Sequence, residues 1–503
     1  MDLLLAIDIG TTTVKAGIFS VDGKCLGIAH QGYDLDTPAV DQVEIDAETY
    51  WKAIINVVRQ ALTNGNISNK KIAGIGVSSQ GETLVAVDNS GMPVFPAIVW
   101  LDKRAQKQAQ VLKPQLEKIV YAHTGIPEIN PTWTACKIAW IKENHPEIYR
   151  KVYKFLLVQD FIVHRLTGRF VTDGSISCTT MLYDIASHCW WEDACRAIGL
   201  DPGMLADISN PGKIAGGLTD QAGEALGLLP GIPVILGGMD QAVGAVGAGN
   251  IVPEMVSETT GGALAIQVTL TNPDIDPTEQ VPVYLHSVPD RFLFVPVCDT
   301  GGMALQWFRD VFNSAEVEQA RREGKNVYDM LTEMAGEISA GCDGLIMLPH
   351  LMGAFSPEYN SQARGAFVGF TLYHGKPHFA RAVLEAVAFM LRRNLELIQK
   401  SGIEIKEIRS TGGGAASQLW RQIKADVCQV PVVTLKNNDT ALMGDAILAA
   451  VAVGLYSSPE EAVQHMVSTA EILSPIPGNG AIYEKVFQNY CQLNDILDPY
   501  FRS

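Results

Sequence analysis

The sequence predicts a two-domain α/β protein, and three observations carry that expectation. The chain has 503 residues, more than a single hydrophobic core ordinarily serves. Short apolar runs that read as buried strands alternate with stretches of helical periodicity. One strand–turn–strand pattern occurs twice, as AIDIGTTTVKAGIF near the N-terminus and as MVSETTGGALAI near the midpoint. Such an echo suggests a duplicated architecture, with one hairpin of this kind in each domain.

The first hairpin spans Leu3 to Gly27. Leu3 to Ile9 is an apolar strand, Gly10 to Thr13 a polar turn, and Val14 to Phe19 a second strand closed by the turn at Asp22 and Gly23. Asp8 falls near the end of the apolar run, where a carboxylate is costly to bury unless it is paired, hydrogen-bonded or close to a metal ion. Gly10 admits close approach of the backbone to a ligand. Thr11, Thr12 and Thr13 offer hydroxyl and backbone donors to phosphate oxygens. The phosphate tail of Mg·ATP fits such a turn. So does an ordinary polar bend, because Asp, Gly and Thr are common turn residues.

Bulk properties narrow the possibilities. Hydrophobic residues make up 47% and charged residues 18%, as in ordinary globular proteins. A net charge of −17 argues against a nucleic-acid partner, since no basic stripe is available to neutralise phosphates. The start, MDLLLAIDIG, lacks a basic n-region, and its apolar run is strand-like and short, so neither a signal peptide nor a membrane span is expected. Nine cysteines without a C-x-x-C pair fit reduced thiols in a cytoplasmic protein better than a disulfide frame or a zinc site. His374 and His378 are four apart, but Gly375 and Pro377 between them break the helical ladder of a metal motif.

In chain order, Asp46 to Leu62 has helical periodicity with Asp46 as N-cap, and the strand Ile72 to Ser78 runs into Ser79-Gln80-Gly81-Glu82-Thr83. Polar side chains at strand ends are where α/β proteins often contact substrate. Asp102 and Arg104 follow another short strand and either contact ligand hydroxyls or pair with each other at the surface. The helix carrying Trp133, Lys137, Ile138, Trp140 and Ile141 reads as core, and Phe155 to Leu166 as a helix closed by Gly168. Ile232 to Leu236 is a buried strand broken by Gly237-Gly238-Met239-Asp240-Gln241 and followed by a small-residue helix over 242–249. Gly237 and Gly238 remove side chains where something must come close, which favours Asp240 as a catalytic carboxylate over a simple N-cap. Further on, Thr300-Gly301-Gly302 leads into a helix carrying Gln306, Ala363 to Phe370 is a Gly-punctuated strand, and His378 to Lys400 is a long amphipathic helix. Thr411 to Gln418 is a Gly-rich loop on which an adenine or ribose can lie, opening the helix Leu419 to Cys428.

In this order and spacing, DIGTTTVK, SSQGET, VWLDKRA, GGMDQAVGAVGAG, ETTGGA, ARGAFVGF and GGGAASQLWRQIKADV cover nearly the whole chain. Together they resemble the FGGY family of carbohydrate kinases, within the actin, Hsp70 and hexokinase-like ATPase superfamily. The resemblance implies two ribonuclease H-like domains with mixed five-stranded sheets flanked by helices, at 1–246 and 247–503, with ATP and sugar in the cleft between them. Gly247, Gly249 and Pro253 become candidate hinge residues.

By the same resemblance Asp8, with Asp240, would look to Mg2+, and Asp240 would be the base that takes the proton of the attacking sugar hydroxyl. Thr11, Thr12, Thr13 and Lys15 would face the ATP phosphates, and Thr260 and Gly261 would form the second phosphate hairpin. Gly301, Gly302, Gln306, Gly413, Gly414 and Ser417 would hold the nucleotide, while Gln80, Glu82, Asp102 and Arg104, with Asp240, would contact the sugar. The implied substrates are ATP, as its Mg2+ complex, and a small sugar or polyol, with a homodimer as the implied assembly. Gln80-Gly81-Glu82-Thr83 departs from the Q-M-H-G string usual in xylulose kinases, and only Glu82 matches the Arg-Glu pair of glycerol kinases. The expected acceptor is a ketose or polyol, D-xylulose first, ahead of gluconate, ribulose, fuculose, erythritol or glycerol. A conformational ATPase of the actin or Hsp70 type would share the core but would not need the hydroxyl-binding set of Asp240, Gln80, Glu82 and Asp102.

Overall fold

A computed structural model describes residues 2–273, 280–400 and 402–502. Two mixed β-sheets organise the molecule. The first contains β1 (Leu3–Ile9), β2 (Thr13–Ser20), β3 (Cys25–Gly32), β4 (Ile72–Ser79), β5 (Ile214–Gly217) and β6 (Pro233–Met239), in the spatial order β5-β6-β4-β1-β2-β3. Strands β1, β4 and β6 run parallel, and β2, β3 and β5 join antiparallel.

The second sheet repeats this plan with β7 (Met255–Thr260), β8 (Leu264–Leu270), β9 (Val283–Leu285), β10 (Phe292–Phe294), β11 (Val297–Cys298), β12 (Glu407–Thr411), β13 (Val432–Leu435) and β14 (Thr469–Leu473). Its order is β9-β10-β8-β7-β12-β13-β14, with β11 also on β8. The five strands expected per sheet are thus six and eight. The extra ones, β5, β9, β11 and β14, are short and add only antiparallel pairings. Such strands carry little periodicity in a single sequence.

Along β1 the side chains alternate between two cores. Leu3, Leu5, Ile7 and Ile9 face the helices α1 (Glu48–Asn64) and α3 (Val158–Thr167), the helix α2 (Thr134–Asn144) lying between these two in sequence. Leu4 and Ala6 face the other way. Burial on both faces explains why the strand reads as a continuous apolar run. The second face is covered by α9 (Thr440–Ala452), which comes from the far end of the chain and packs Leu442, Ala446 and Ile447 against Leu4, Ala6 and Ile235. In front of it lie α4 (Asp240–Gly247), α5 (Gly302–Phe312), α6 (Val327–Gly336), α7 (Lys376–Lys400) and α8 (Gln418–Cys428). The largest core joins the second sheet and α5 to α8 with α2 and other residues of the 84–205 region, and reaches α4 at Ala242 and Ala245.

Helices α4 and α9 cross at close quarters. A Cβ on Gly247 would collide with the Thr440 carbonyl, and one on Gly444 with the Val243 carbonyl. This contact joins the two halves of the molecule at the level where Asp240 opens α4.

Several boundaries differ from the sequence reading. Ala47, not Asp46, caps α1, although the Asp46 carboxylate accepts the Glu48 amide at 3.1 Å. Phe155 and Leu156 are strand rather than helix, and the Gly-punctuated strand shrinks to Ala366–Val368. Among the described residues no helix is long and apolar enough to cross a membrane, and all nine cysteines are free thiols.

Candidate active site

Strand residues of the β1–β2 and β7–β8 hairpins line one cavity of about 270 Å3, with Asp8, Asp240, Gln241, Ser257, Thr259, Gln267 and Thr411 among its walls. In both hairpins a glycine amide closes the turn, Gly10 onto the Thr13 carbonyl and Gly261 onto that of Ala263, each at 3.0 Å. Asp8 is half-buried at the end of β1. Burial pushes its carboxyl up to about 6 against the opposing pull of Lys15.

Asp240 is the first residue of α4 rather than its cap. Met239 holds the cap position without a side-chain bond, and the Asp240 carboxylate accepts the Gln241 amide at 2.7 Å. Its charge therefore lies at the positive end of a helix. Burial, then repulsion from Asp8, still pushes its carboxyl up to about 7. The two glycines before it serve the protein's own packing. A Cβ on Gly237 would strike the Asp445 carboxylate, and one on Gly238, whose φ is +104°, would strike the Ser175 hydroxyl. Asp445, fully buried on α9, accepts the Ser78 hydroxyl at 2.7 Å, and burial holds it well above the usual carboxylate range.

Behind the second hairpin lies a buried charge pair. The Lys424 ammonium on α8 donates to Glu258 at 2.6 Å and to the Thr260 hydroxyl at 2.7 Å, and both charged side chains are completely enclosed. Glu258 also accepts from Ser410 and, at 2.7 Å, from Thr260. The tip of the hairpin is thereby tied to the helix that follows the Gly-rich loop.

A second cavity, of about 380 Å3, is lined by Thr260, the residue next to Thr259. Its walls are Thr260, Gly261, Gly302, Gln306, Gly413, Gly414 and Ser417, seven of the residues expected on the nucleotide side, completed by Asn326, Tyr328, Asp329 and Trp420. Gly414 must lack a side chain because a Cβ would meet Thr260 at 2.6 Å. This second cavity, walled by glycines and closed by aromatic rings, falls in the size range of small-molecule sites and has room for a flat ligand laid against backbone.

On the other side of Asp240 lies a polar cluster. Gln80 is buried, donates to the Tyr50 hydroxyl at 3.2 Å and leaves its carbonyl oxygen unpartnered. Glu82 has φ +53° and is half-buried, and its main-chain carbonyl accepts the fully buried Lys137 ammonium at 3.0 Å. Burial raises the Glu82 carboxyl and lowers the Lys137 ammonium.

Residues 3–247 match the N-terminal domain of the FGGY family of carbohydrate kinases, and residues 259–453 match its C-terminal domain. This chain belongs to the FGGY family. It is an ATP-dependent carbohydrate kinase. It is 31% identical to the gluconokinase of Bacillus subtilis over 499 residues, covering 98% of this chain and 96% of that one. To the xylulose kinase of Staphylococcus epidermidis it is 29% identical, over 97% of this chain and 96% of that one. Its fold superposes on the ligand-bound xylulose kinase of Lactobacillus acidophilus with a TM-score of 0.90 at 27% identity, covering 99% and 98% of the two chains.

In this FGGY kinase not every expected site residue lines a cavity. Gly301 lies behind the second hairpin, its amide on the Gly262 carbonyl at 2.8 Å, and shapes the turn from below. Lys15 pairs with Asp439, just before α9, at 2.8 Å, so it joins the two halves beside Asp8. Thr11 accepts the Trp100 indole at 2.8 Å, Thr12 is exposed and Thr13 half-buried. Asp102 and Arg104 pair with each other, but in the interior rather than at the surface. Arg104 also reaches Glu44 at 2.6 Å and stacks 4.9 Å from the Trp140 ring, while Asp102 accepts the Val43 amide.

Lys137, Glu258, Lys424 and Asp445 escaped sequence reasoning. Lys137 and Asp445 sit among apolar residues that read as core, where the charge itself is the one signal, whereas Glu258 and Lys424 sit in polar stretches that give no sign of their burial.

Proposed function

We propose that this kinase transfers the γ-phosphate of ATP to a hydroxyl of a neutral ketose or polyol, with D-xylulose first among the candidates. The observation that carries this reading is Asp240, which opens α4, lines one cavity with Asp8 and lies close enough to both Asp8 and Glu82 to feel their charges. As general base it takes the acceptor's hydroxyl proton. The oxygen then forms its bond to the γ-phosphorus as the bond to the leaving ADP breaks. A carboxyl pushed up to about 7 accepts a proton with little penalty near neutral pH.

Asp8 and Asp240 face one cavity and, among the described residues, no cationic side chain is bonded to either, a donor set that fits Mg2+, which keeps several waters and takes one or two carboxylates plus phosphate oxygens. When bound, the ion neutralises charge on the phosphates. Thr11, Thr12, Thr13 and Lys15 serve the phosphates from the first hairpin and Thr260 and Gly261 from the second. Gln306, Gly302, Gly413, Gly414 and Ser417 cradle the nucleoside end, and Gly301 shapes the turn beneath it. Gln80 and Glu82 meet the acceptor directly, and the Asp102–Arg104 pair holds that end of the cleft in shape.

The acceptor end is acidic, with Glu82, Asp102 and Asp240 set against Lys137, which donates to the Glu82 main-chain carbonyl, and Arg104, whose guanidinium is spent on Asp102 and Glu44. That balance supports a neutral acceptor. The likeness to gluconokinase favours gluconate as the second reading. The boundary at 246/247, with Gly247, Gly249 and Pro253 as hinge, is part of the same proposal, and unchanged scattering profiles with and without ATP and sugar would count against it.

Coupled ADP-release assays over D-xylulose, D-ribulose, L-fuculose, erythritol, glycerol and D-gluconate test the acceptor. The expectation is fastest turnover with D-xylulose. Faster turnover with D-gluconate would sink the argument from the acidic acceptor end. Steady hydrolysis stimulated by none of them would remove the base role from Asp240.

A further inference from the structure

A third large cavity, of about 370 Å3, lies away from both the cavity on the nucleotide side and the carboxylate pair. Its walls come from both halves of the molecule. The β2–β3 turn contributes Asp22, Gly23 and Lys24; the segment after β13 contributes Lys436 and Asn437; and Gly247 and Met443 bring in the ends of the crossed helices α4 and α9. Its size falls in the range of small-molecule sites, roughly 300–1,000 Å3.

Three features of the lining point to an anion. The Lys24 and Lys436 ammonium groups have no ion-pair or hydrogen-bond partner among the described residues, in a chain whose net charge is −17. The Asn437 side-chain amide is enclosed and donates to nothing, while its carbonyl oxygen is already spent on the Asp439 amide at 3.0 Å. Buried polar groups without partners are uncommon and call for an explanation. Asp22, the one acid in the lining, is engaged by the Ser20 hydroxyl. The remaining wall is apolar, with Leu435, Met443 and Met466.

We propose that this cavity is a second ligand site, which takes a small phosphate ester. The phosphate oxygens would accept from Lys24, Lys436 and the Asn437 amide, and the carbon part would lie on the methionines and Leu435. Charge-assisted bonds of this kind are the strong ones in an aqueous cleft. Because the walls belong to both halves and abut the α4–α9 crossing, a ligand here would bridge them at the point about which they would turn.

The test is calorimetric titration of inorganic phosphate, and in parallel phenyl phosphate, into the full chain with the nucleotide site saturated by AMP-PNP and Mg2+. One equivalent of phosphate is expected to bind, with phenyl phosphate tighter. The double variant Lys24→Gln/Lys436→Gln should weaken both by about tenfold or more while ATP-dependent turnover stays unchanged, since both lysines are in the lining of this cavity alone. Asn437→Asp, which places a carboxylate in the cavity, should weaken them likewise. No uptake once the nucleotide site is filled, or uptake undiminished in these variants, would overturn the proposal.

Discussion

Asp8 and Glu258 are the carboxylates of the strands that enter the two repeated hairpins, and only Glu258 is paired with a lysine. Counted back from the glycine that closes each turn they are one residue out of step, so that Asp8 and Thr259, not Glu258, line the same cavity. Each lies on the strand that enters the turn, and each is in register with a serine of the parallel neighbour, Asp8 with Ser78 and Glu258 with Ser410. Glu258 is enclosed against Lys424 at 2.6 Å. Asp8 remains half-open to the cavity, and its nearest ammonium, Lys15, is bonded to Asp439 instead. One carboxylate is thus tied into the interior and the other is left open to a cavity.

Asp240→Asn removes the proposed base while keeping shape and the helix start. Sugar-dependent turnover should fall by two or more orders of magnitude, with ATP affinity in equilibrium binding changed less than about threefold. Turnover at the wild-type rate would exclude Asp240 as the base.

Lys424→Met leaves the Glu258 charge buried with only the hydroxyls of Ser410 and Thr260 as partners and no opposite charge. Loss of one member of such a pair costs roughly 3–5 kcal/mol, readable as a lower denaturant midpoint. Because Lys424 also holds Thr260, KM for ATP should rise more than KM for the sugar. Adding Glu258→Gln should recover part of the stability. If the double variant is no more stable than Lys424→Met alone, the two charges do not act as a pair.

Gly444→Ala tests the helix crossing. The added methyl meets the Val243 carbonyl, and overpacking of this kind costs roughly 1–3 kcal/mol. Thermal unfolding should shift down, and kcat should fall with it because Val243 lies on the helix that carries Asp240. An unchanged midpoint would mean that α4 and α9 can part without penalty.

His286 should give the fold an acid-sensitive limb. Its Nε2 donates to the Asn250 carbonyl and its Nδ1 accepts the Val288 amide, both at 2.9 Å, so only the neutral ring satisfies both. Burial, with Arg291 nearby, lowers its pKa from 6.5 to about 4. Above pH 6.5 neither state is protonated and the residue contributes no pH dependence. Between 6.5 and 4 the unfolded chain takes up a proton that the folded one refuses, so stability falls as pH falls, by roughly 3 kcal/mol at the lower end. Denaturation midpoints across this range should flatten in His286→Gln. An unaltered slope would assign the acid limb to other groups.

Much of this arrangement is legible in the sequence because its signals are local. Asp8, Gly10 and the threonines announce a tight polar turn between two strands within a few residues, the turn at Gly261 repeats it, and the long periodicity of α7 reads directly as a helix with one buried face. Gly237 and Gly238 were legible as places of close approach, but what approaches is Asp445 and Ser175, more than two hundred and about sixty residues away in the chain. Lys137 looks like one polar residue in a core helix until the fold sets its ammonium on the Glu82 carbonyl.

By itself, then, the sequence determined the two hairpins, the alternation of strand and helix, and the chemistry available at Asp8, Asp240 and the Gly-rich loop, since these depend on turn geometry and side-chain periodicity over short spans. Only the tertiary structure decided which carboxylate is silenced and which is left open. That choice rests on a lysine 166 residues from Glu258 and on α9 crossing back to cover the first sheet. Desolvation in a packed interior, which acts between groups brought together from distant parts of the chain, is what separates a structural charge from a working one.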